Sequence, residues 1–176
     1  MNFFKYFILL IIFLITVSCS KDKVKKSVIN EKNLDAQVFE AYQKGMDSLE
    51  AGDVLFAAKK FNEAEILFPQ SEWAPKSALM AAYSYYTQDY YKDAVAELER
   101  FIRIYPYYKD LDYAYYLMAI SHYEQIVDEK KDLQSIVNAK NNFSLLVKDY
   151  PNTEYALDAE FKLDLINDIL ASKEMY

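Results

Sequence analysis

The sequence predicts an all-α protein, a solenoid of helical hairpins, and two observations support this. The 176-residue chain contains only two glycines and four prolines, too few turn formers for a sheet-rich or loop-rich protein. An amphipathic helix pattern is also repeated, and one copy consists of Ala94, Leu98, Phe101 and Pro106. A second copy lies 37 residues earlier, at Ala57, Phe61, Ala64 and Pro69, and a third lies 45 residues later, at Ala139, Phe143, Leu146 and Pro151. Repetition at this period indicates a helical repeat array.

Residues 1–18 are typical of a secretory signal peptide. Lys5 supplies the positive charge, Tyr6 to Val17 form a twelve-residue apolar run, and small residues lead to Cys19. A transmembrane anchor is the alternative, but spanning a bilayer takes about 20 apolar residues. We therefore expect residues 1–18 to be removed.

Cys19, the only cysteine, is the predicted lipidation site. Its placement resembles a bacterial lipobox, in which the peptide is cut before the cysteine and the cysteine is acylated. Several acyl chains would give stable anchoring. An aspartate directly after the cysteine would resemble an inner-membrane retention signal, but the residue at this position is Ser20. The expected location is therefore the periplasmic face of the outer membrane. No cofactor is expected beyond this covalent lipid.

A flexible linker is predicted for residues 19–33, since they are polar and lysine-rich without apolar periodicity. The helical array should follow over residues 34–176. Its first repeat is 36–69, with one helix to Ala51, a turn at Gly52-Asp53 and a second helix from Val54 to Phe68. The second repeat is 73–106.

The third repeat is predicted at 111–151, and its second helix arrives eight residues late. The extra residues fall within Ile126 to Ile136, a charged stretch that we expect to form an extended connection. Such an insertion is either a contact site or, more commonly, a tolerated surface loop. A long helix should follow over 153–172, and its apolar residues need cover. These are Leu163, Leu165, Ile166, Ile169 and Leu170.

Small residues recur at one register of the first helices, at Gly45, Ala82 and Ala119. Together with Gly52-Asp53 and the helix-ending prolines, they resemble the tetratricopeptide repeat. The resemblance implies that the two helices of each hairpin touch at these positions. A larger side chain there should overpack the contact at a cost of about 1–3 kcal/mol.

A second resemblance is more specific. The lipidated N-terminus, FPQSEWAPKSALMAAYSYY at 68–86 and DYAYYLMA at 112–119 resemble the BamD family of outer-membrane assembly lipoproteins. This implies a periplasmic scaffold whose partners are a BamA-type barrel insertase, other Bam lipoproteins and unfolded outer-membrane proteins. The family has five such repeats, and the resemblance implies that the C-terminal ones contact BamA. Another periplasmic repeat lipoprotein, such as a Tol-Pal or cell-wall scaffold, is the alternative.

Tyrosine is in excess, with seventeen residues, and the first helices of this fold line the concave face. Such rings suit an extended peptide, because each offers apolar area and a hydroxyl. The groove offers few basic groups, so binding should depend little on salt. Inter-repeat packing is the alternative role. The predicted groove residues are Tyr42, Met46, Leu49, Leu79, Tyr83, Tyr86, Tyr116, Ile120 and Tyr123.

Charge and motif content argue against two other function classes. The net charge of -7 disfavours nucleic-acid binding, which needs clustered lysine and arginine. The one histidine, His122, has no partners at a spacing that predicts a triad or a metal site, so we expect it to be partly buried and structural. The sequence thus predicts a non-catalytic protein.

Overall fold

The computed structural model describes residues 31–126 and 133–174, which form seven α-helices and no strand. The predicted all-α class is confirmed. The helices are α1 (Glu31–Glu50), α2 (Val54–Leu67), α3 (Trp73–Tyr86), α4 (Tyr91–Ile104), α5 (Leu111–Glu124), α6 (Leu133–Asp149) and α7 (Glu154–Glu174).

Each helix packs on the next, so α1–α2, α3–α4 and α5–α6 form three hairpins and α7 packs on α6. The odd-numbered helices also contact one another, α1 with α3, α3 with α5 and α5 with α7. No pair of even-numbered helices approaches as closely. The odd-numbered helices therefore form the inner face of the array, and the even-numbered helices form its outer face.

Local signals in the sequence explain where the helices begin and end. Gly52 has a φ of 81°, a left-handed conformation that glycine adopts without a Cβ clash, and it separates α1 from α2. The Asp53 carboxylate then caps α2 by accepting the backbone N–H of Phe56 at 3.2 Å. At the other end of the hairpins, Pro106 follows α4 and cannot continue it.

The small-residue register lies at the contact between the helices of each hairpin, as predicted. A Cβ on Gly45 would lie 2.7 Å from Cε1 of Phe61, closer than real contacts allow. Ala82 and Ala119 are fully buried at the equivalent positions of α3 and α5. The phenylalanines of the repeating pattern, Phe61 and Phe143, are likewise fully buried.

Two boundaries differ from the prediction. Helix α1 begins at Glu31, so residues 31–33, which the sequence analysis assigned to the linker, are helical. The two residues that open this helix, Glu31 and Lys32, both have high helix propensity. Helix α6 begins at Leu133, so the C-terminal part of the expected connection at 126–136 is helical too, because Ile136 is fully buried on the core. Residues 127–132 lie outside the described residues.

The final helix is only partly covered. Ile166 is fully buried, and Leu163, Ile169 and Leu170 pack against the same core. The apolar residues that need cover are instead two on the opposite side of the helix. Leu157 is 72% exposed and Phe161 is 62% exposed.

The predicted signal peptide, Cys19 and most of the linker lie outside the described residues. Among the helices that the structure does describe, none combines the length and hydropathy that crossing a bilayer requires.

Candidate functional site

The inner face carries the predicted groove residues, but three of them belong to the core. Tyr42, Leu79 and Ile120 are only 6%, 7% and 5% exposed. These side chains pack between neighbouring repeats and offer little surface to a peptide, although Leu79 still lines one of the cavities described below. The other predicted residues are partly buried and keep an accessible edge: Met46, Leu49, Tyr83, Tyr86, Tyr116 and Tyr123.

Tyr42 shows why the inner residues are buried. Its ring lies 5.3 Å from the ring of Phe61 and 5.1 Å from that of Trp73, measured between centroids. Trp73 opens α3, so this tyrosine joins the first repeat to the second. Aromatic pairs at this separation stabilise a core by about 0.5–1.5 kcal/mol beyond area burial.

Helix α7 covers the inner face of the third repeat. The Tyr116 hydroxyl donates a hydrogen bond to Asp158 at 2.9 Å, and the ring lies 5.1 Å from that of Tyr155. The Lys162 ammonium lies 4.8 Å from the centre of the Tyr123 ring. The inner face is therefore covered by a further helix at the third repeat, whereas no helix of the described residues lies over it at the first two.

Burial keeps the inner-face hydroxyls protonated. It raises the pKa of Tyr86 and, more strongly, of Tyr113 and Tyr116, and the neighbouring acidic or phenolic groups act in the same direction. A tyrosine hydroxyl is neutral at ordinary pH in any case, and the raised pKa extends this to more alkaline solution. Tyr86 can therefore donate a hydrogen bond to a peptide carbonyl, whereas the one O–H proton of Tyr116 is already donated to Asp158.

Two adjoining cavities open where the second repeat meets its neighbours, with volumes of about 340 and 500 Å³. They share Lys76, Tyr108 and Lys109. Trp73 extends the larger cavity, and Leu79, Tyr113 and Tyr155 extend the smaller one. Cavities of this size, lined by rings and a few charges, suit the side chains of a bound peptide.

Lys76 and Lys109 are two basic groups that the sequence analysis did not assign to the inner face. The Lys76 ammonium lies 4.9 Å from the ring centres of both Tyr42 and Trp73, which orients its charge. Glu72, Asp110 and Asp112 line the same cavities, so the site bears both signs of charge. Sequence reasoning missed these lysines because it considered only one register of the first helices.

Sequence reasoning also missed an ion pair on the outer face. Glu65 of α2 is 6% exposed, and its carboxylate accepts two hydrogen bonds from Arg100 of α4, at 2.8 and 2.7 Å. The Tyr105 hydroxyl donates a third, at 2.7 Å. Arg100 also donates to Glu97 at 2.8 Å. We call Glu65, Glu97, Arg100 and Tyr105 the outer clamp, because they join two helices whose backbones do not touch.

His122 lies in α5, on a helix that packs on its neighbours along its length. It is partly buried, and this burial lowers the pKa of its imidazole, opposed by the charge of Glu99. Within the described residues, no group of three histidine, cysteine or acidic side chains is arranged to hold a metal ion.

Residues 34–176 match the YfiO family, whose members are described as outer membrane lipoproteins. The chain is similar to outer membrane protein assembly factor BamD of Caulobacter vibrioides, with 42% identity over 134 residues. It is 35% identical over 167 residues to the protein of the same name from Rickettsia prowazekii. These matches cover 76% and 95% of this chain but only 44% and 64% of those relatives.

Two solved structures are similar in fold. The first TPR of Spaghetti, bound to an HSP90 peptide, has a TM-score of 0.57 at 16% identity and covers 77% of this chain and 94% of its own. The C-terminal TPR-containing domain of a Plasmodium falciparum FK506-binding protein has a TM-score of 0.56 at 16% identity, covering 84% and 97%. Both support the tetratricopeptide-like architecture.

Proposed function

Because this chain belongs to the YfiO family of outer membrane lipoproteins, we propose that it is a non-catalytic scaffold for the assembly of β-barrel proteins in the outer membrane. The observation that carries the proposal is its identity of 42% and 35% to relatives named as outer membrane protein assembly factors. These relatives support the assembly role over the alternative of a Tol-Pal or cell-wall scaffold. Its partners would be a BamA-type insertase, other Bam lipoproteins and unfolded outer-membrane proteins.

The assembly role is tested by copurification. The full chain, carrying a C-terminal tag, is purified from detergent-solubilised outer membranes, and the associated proteins are identified by mass spectrometry. Recovery of a BamA-type insertase would support the proposal. Recovery of Tol-Pal or cell-wall proteins without an insertase would refute it.

Cys19 would attach the scaffold to the periplasmic face of the outer membrane. The anchor is supported by the position of the only cysteine, which lies at the end of a short apolar run. Cells that express the chain should incorporate radiolabelled palmitate into it, and Cys19→Ala should abolish the label. Acyl label on the variant would refute the anchor.

The peptide site would be the accessible inner face of the first two repeats. Its edges are Met46, Leu49, Tyr83 and Tyr86, and the adjoining cavities of Lys76 and Tyr108 continue it. An extended strand from an unfolded barrel protein would place apolar side chains against the rings. Its carbonyls would accept hydrogen bonds from the neutral tyrosine hydroxyls.

Tyr86→Ala tests this site with a fluorescent peptide that ends in an aromatic residue. Loss of one ring should weaken binding by about 1–2 kcal/mol, which raises the dissociation constant roughly 5- to 30-fold. Tyr90→Ala, at an exposed tyrosine just before α4, is the matched control and should bind as the parent does. Tyr123→Ala should instead lower thermal stability, because its ring packs 6.3 Å from that of Phe143.

The experiment separates binding from packing when circular dichroism accompanies the titration. A folded Tyr86→Ala variant that binds as tightly as the parent would rule out this part of the inner face. Lys76→Gln extends the test. If the peptide carboxylate lies near this ammonium, the variant should bind more weakly and with a smaller dependence on salt than the parent.

A further inference from the structure

An exposed apolar patch occupies the edge of the array where one repeat passes to the next. Ile66 at the end of α2 is 75% exposed, Ile104 at the end of α4 is 49% exposed, and Tyr107 in the following turn is 97% exposed. Pro69 and Pro106 in the same two turns are also exposed. We call these five residues the turn-edge patch.

The patch is continuous. A shallow outer groove of about 450 Å³ is lined by Ile66, Pro69, Ile104 and Tyr105, and its inner part by Asn62 and the outer-clamp residues Glu65, Glu97 and Arg100. A second depression, lined by Ile104, Tyr105, Pro106 and Tyr107, adjoins it. The groove and the depression share Ile104 and Tyr105. The exposed side chains of Ile66, Ile104 and Tyr107 therefore belong to one surface.

The topology places the start of α1 at this same edge. In an antiparallel array, the first residue of every odd-numbered helix and the last residue of every even-numbered helix lie at one edge. Glu31 therefore lies on the side of Ile66, Ile104 and Tyr107, whereas Gly52 and Tyr90 lie at the opposite edge. Residues 20–30, which separate Cys19 from α1, can extend to about 40 Å at most.

We propose that the turn-edge patch rests in the headgroup region of a phospholipid bilayer, as a second membrane contact beside the lipid on Cys19. The proposal rests on the anchor that we propose above. Because the tether joins the array at this edge, a chain held by Cys19 can bring the edge to the bilayer surface without the tether crossing the array. Tyrosine and isoleucine suit the interface between acyl chains and water, and Arg103 and Lys109 flank them beside Glu72 and Asp110.

The size of the patch favours a bilayer over a protein partner. Specific protein interfaces bury about 1,200–2,000 Å² and contain a central cluster of buried anchors. The five residues of the turn-edge patch are all exposed, and no cluster of buried anchors lies among them. A bilayer needs no such cluster, because each interfacial side chain adds its own partition free energy, and a probe with a single acyl chain binds weakly enough to reveal that contribution.

Partitioning into vesicles tests the contact. The mature chain, residues 19–176, is coupled at its only cysteine to a maleimide with a single fourteen-carbon alkyl chain, roughly one myristoyl equivalent. Flotation with vesicles of phosphatidylethanolamine and phosphatidylglycerol then gives the partition coefficient. Tyr107→Ser and Ile104→Ser should each lower it about five-fold, as expected for loss of a half-inserted apolar side chain worth about 1 kcal/mol. Tyr90→Ser, at the opposite edge, is the matched control and should leave it unchanged.

Equal partitioning of the parent, Tyr107→Ser and Ile104→Ser would overturn the proposal. So would an equal loss for Tyr90→Ser, because the effect would then not belong to this edge. If the parent dimerises in sedimentation and Tyr107→Ser prevents it without changing partitioning, the patch binds a second copy and the proposal fails. The alkyl chain is attached chemically, so these results do not depend on acylation in cells, which the palmitate experiment tests separately.

Discussion

Replacing Arg100 with methionine should weaken the packing of the first repeat on the second. Arg100 is the group that neutralises Glu65, and it does so through two hydrogen bonds of 2.8 and 2.7 Å. Methionine keeps much of the apolar stem of the side chain but removes the guanidinium. The Glu65 carboxylate would then remain buried with only the Tyr105 hydroxyl as a donor.

The structure sets the size of the effect. Breaking a fully buried ion pair by removing one partner costs about 3–5 kcal/mol. The Glu65 side chain is 8% exposed, but that of Arg100 is 29% exposed, so water reaches part of the pair and screens it. We therefore expect a loss of about 2–3 kcal/mol, or roughly 4–12 °C in the thermal midpoint of a chain of this length.

Thermal and urea unfolding by circular dichroism measure the loss. Arg103→Met is the control, because this exposed arginine lies in the same helix. Adding Glu65→Leu to Arg100→Met should recover at least about 1 kcal/mol, since the double variant no longer buries an unpaired charge. If Arg100→Met is as stable as Arg103→Met, or if the two changes add without coupling, the outer clamp does not stabilise the junction.

Three further predictions concern the hairpin contacts and pH. Gly45→Val should lower the free energy of unfolding by about 1–3 kcal/mol, because the buried Phe61 ring occupies the space of a Cβ; an unchanged urea midpoint would contradict this. Ala82→Leu should cost a similar amount, whereas Ala96→Leu, on the exposed side of α4, should not; equal thermal midpoints would show that the register is shifted. Burial lowers the pKa of His122 below its usual 6.5, so the unfolded chain binds the proton more tightly and stability should fall as the pH drops below that value. His122→Gln should reduce this loss between about pH 7 and 5, as urea titrations at several pH values would show.

Short-range signals in the sequence were enough to predict the helices and hairpins. Gly45 and Ala82 marked the close contacts because only small side chains fit there, and Pro106 marked a helix end because it cannot continue one. The groove was harder to predict, since a register says which face a residue occupies but not whether another helix covers it. Tyr116 and Tyr123 lie on the expected face, but α7 packs over them. Arg100 and Glu65 are 35 residues apart, and pairing at that distance leaves no local pattern.

The outer clamp makes the two junctions between repeats differ in the kind of contact that holds them. At the first junction, contact between α1 and α3 on the inner face and the bond from Glu65 to Arg100 on the outer face resist bending from both sides. At the second junction, α3 and α5 touch on the inner face, but no ion pair joins α4 to α6 within the parts of those helices that the structure describes. The first junction therefore combines apolar packing with a charged bond that depends on pH and salt, whereas the second depends on the apolar core that runs without a break from α3 to α7.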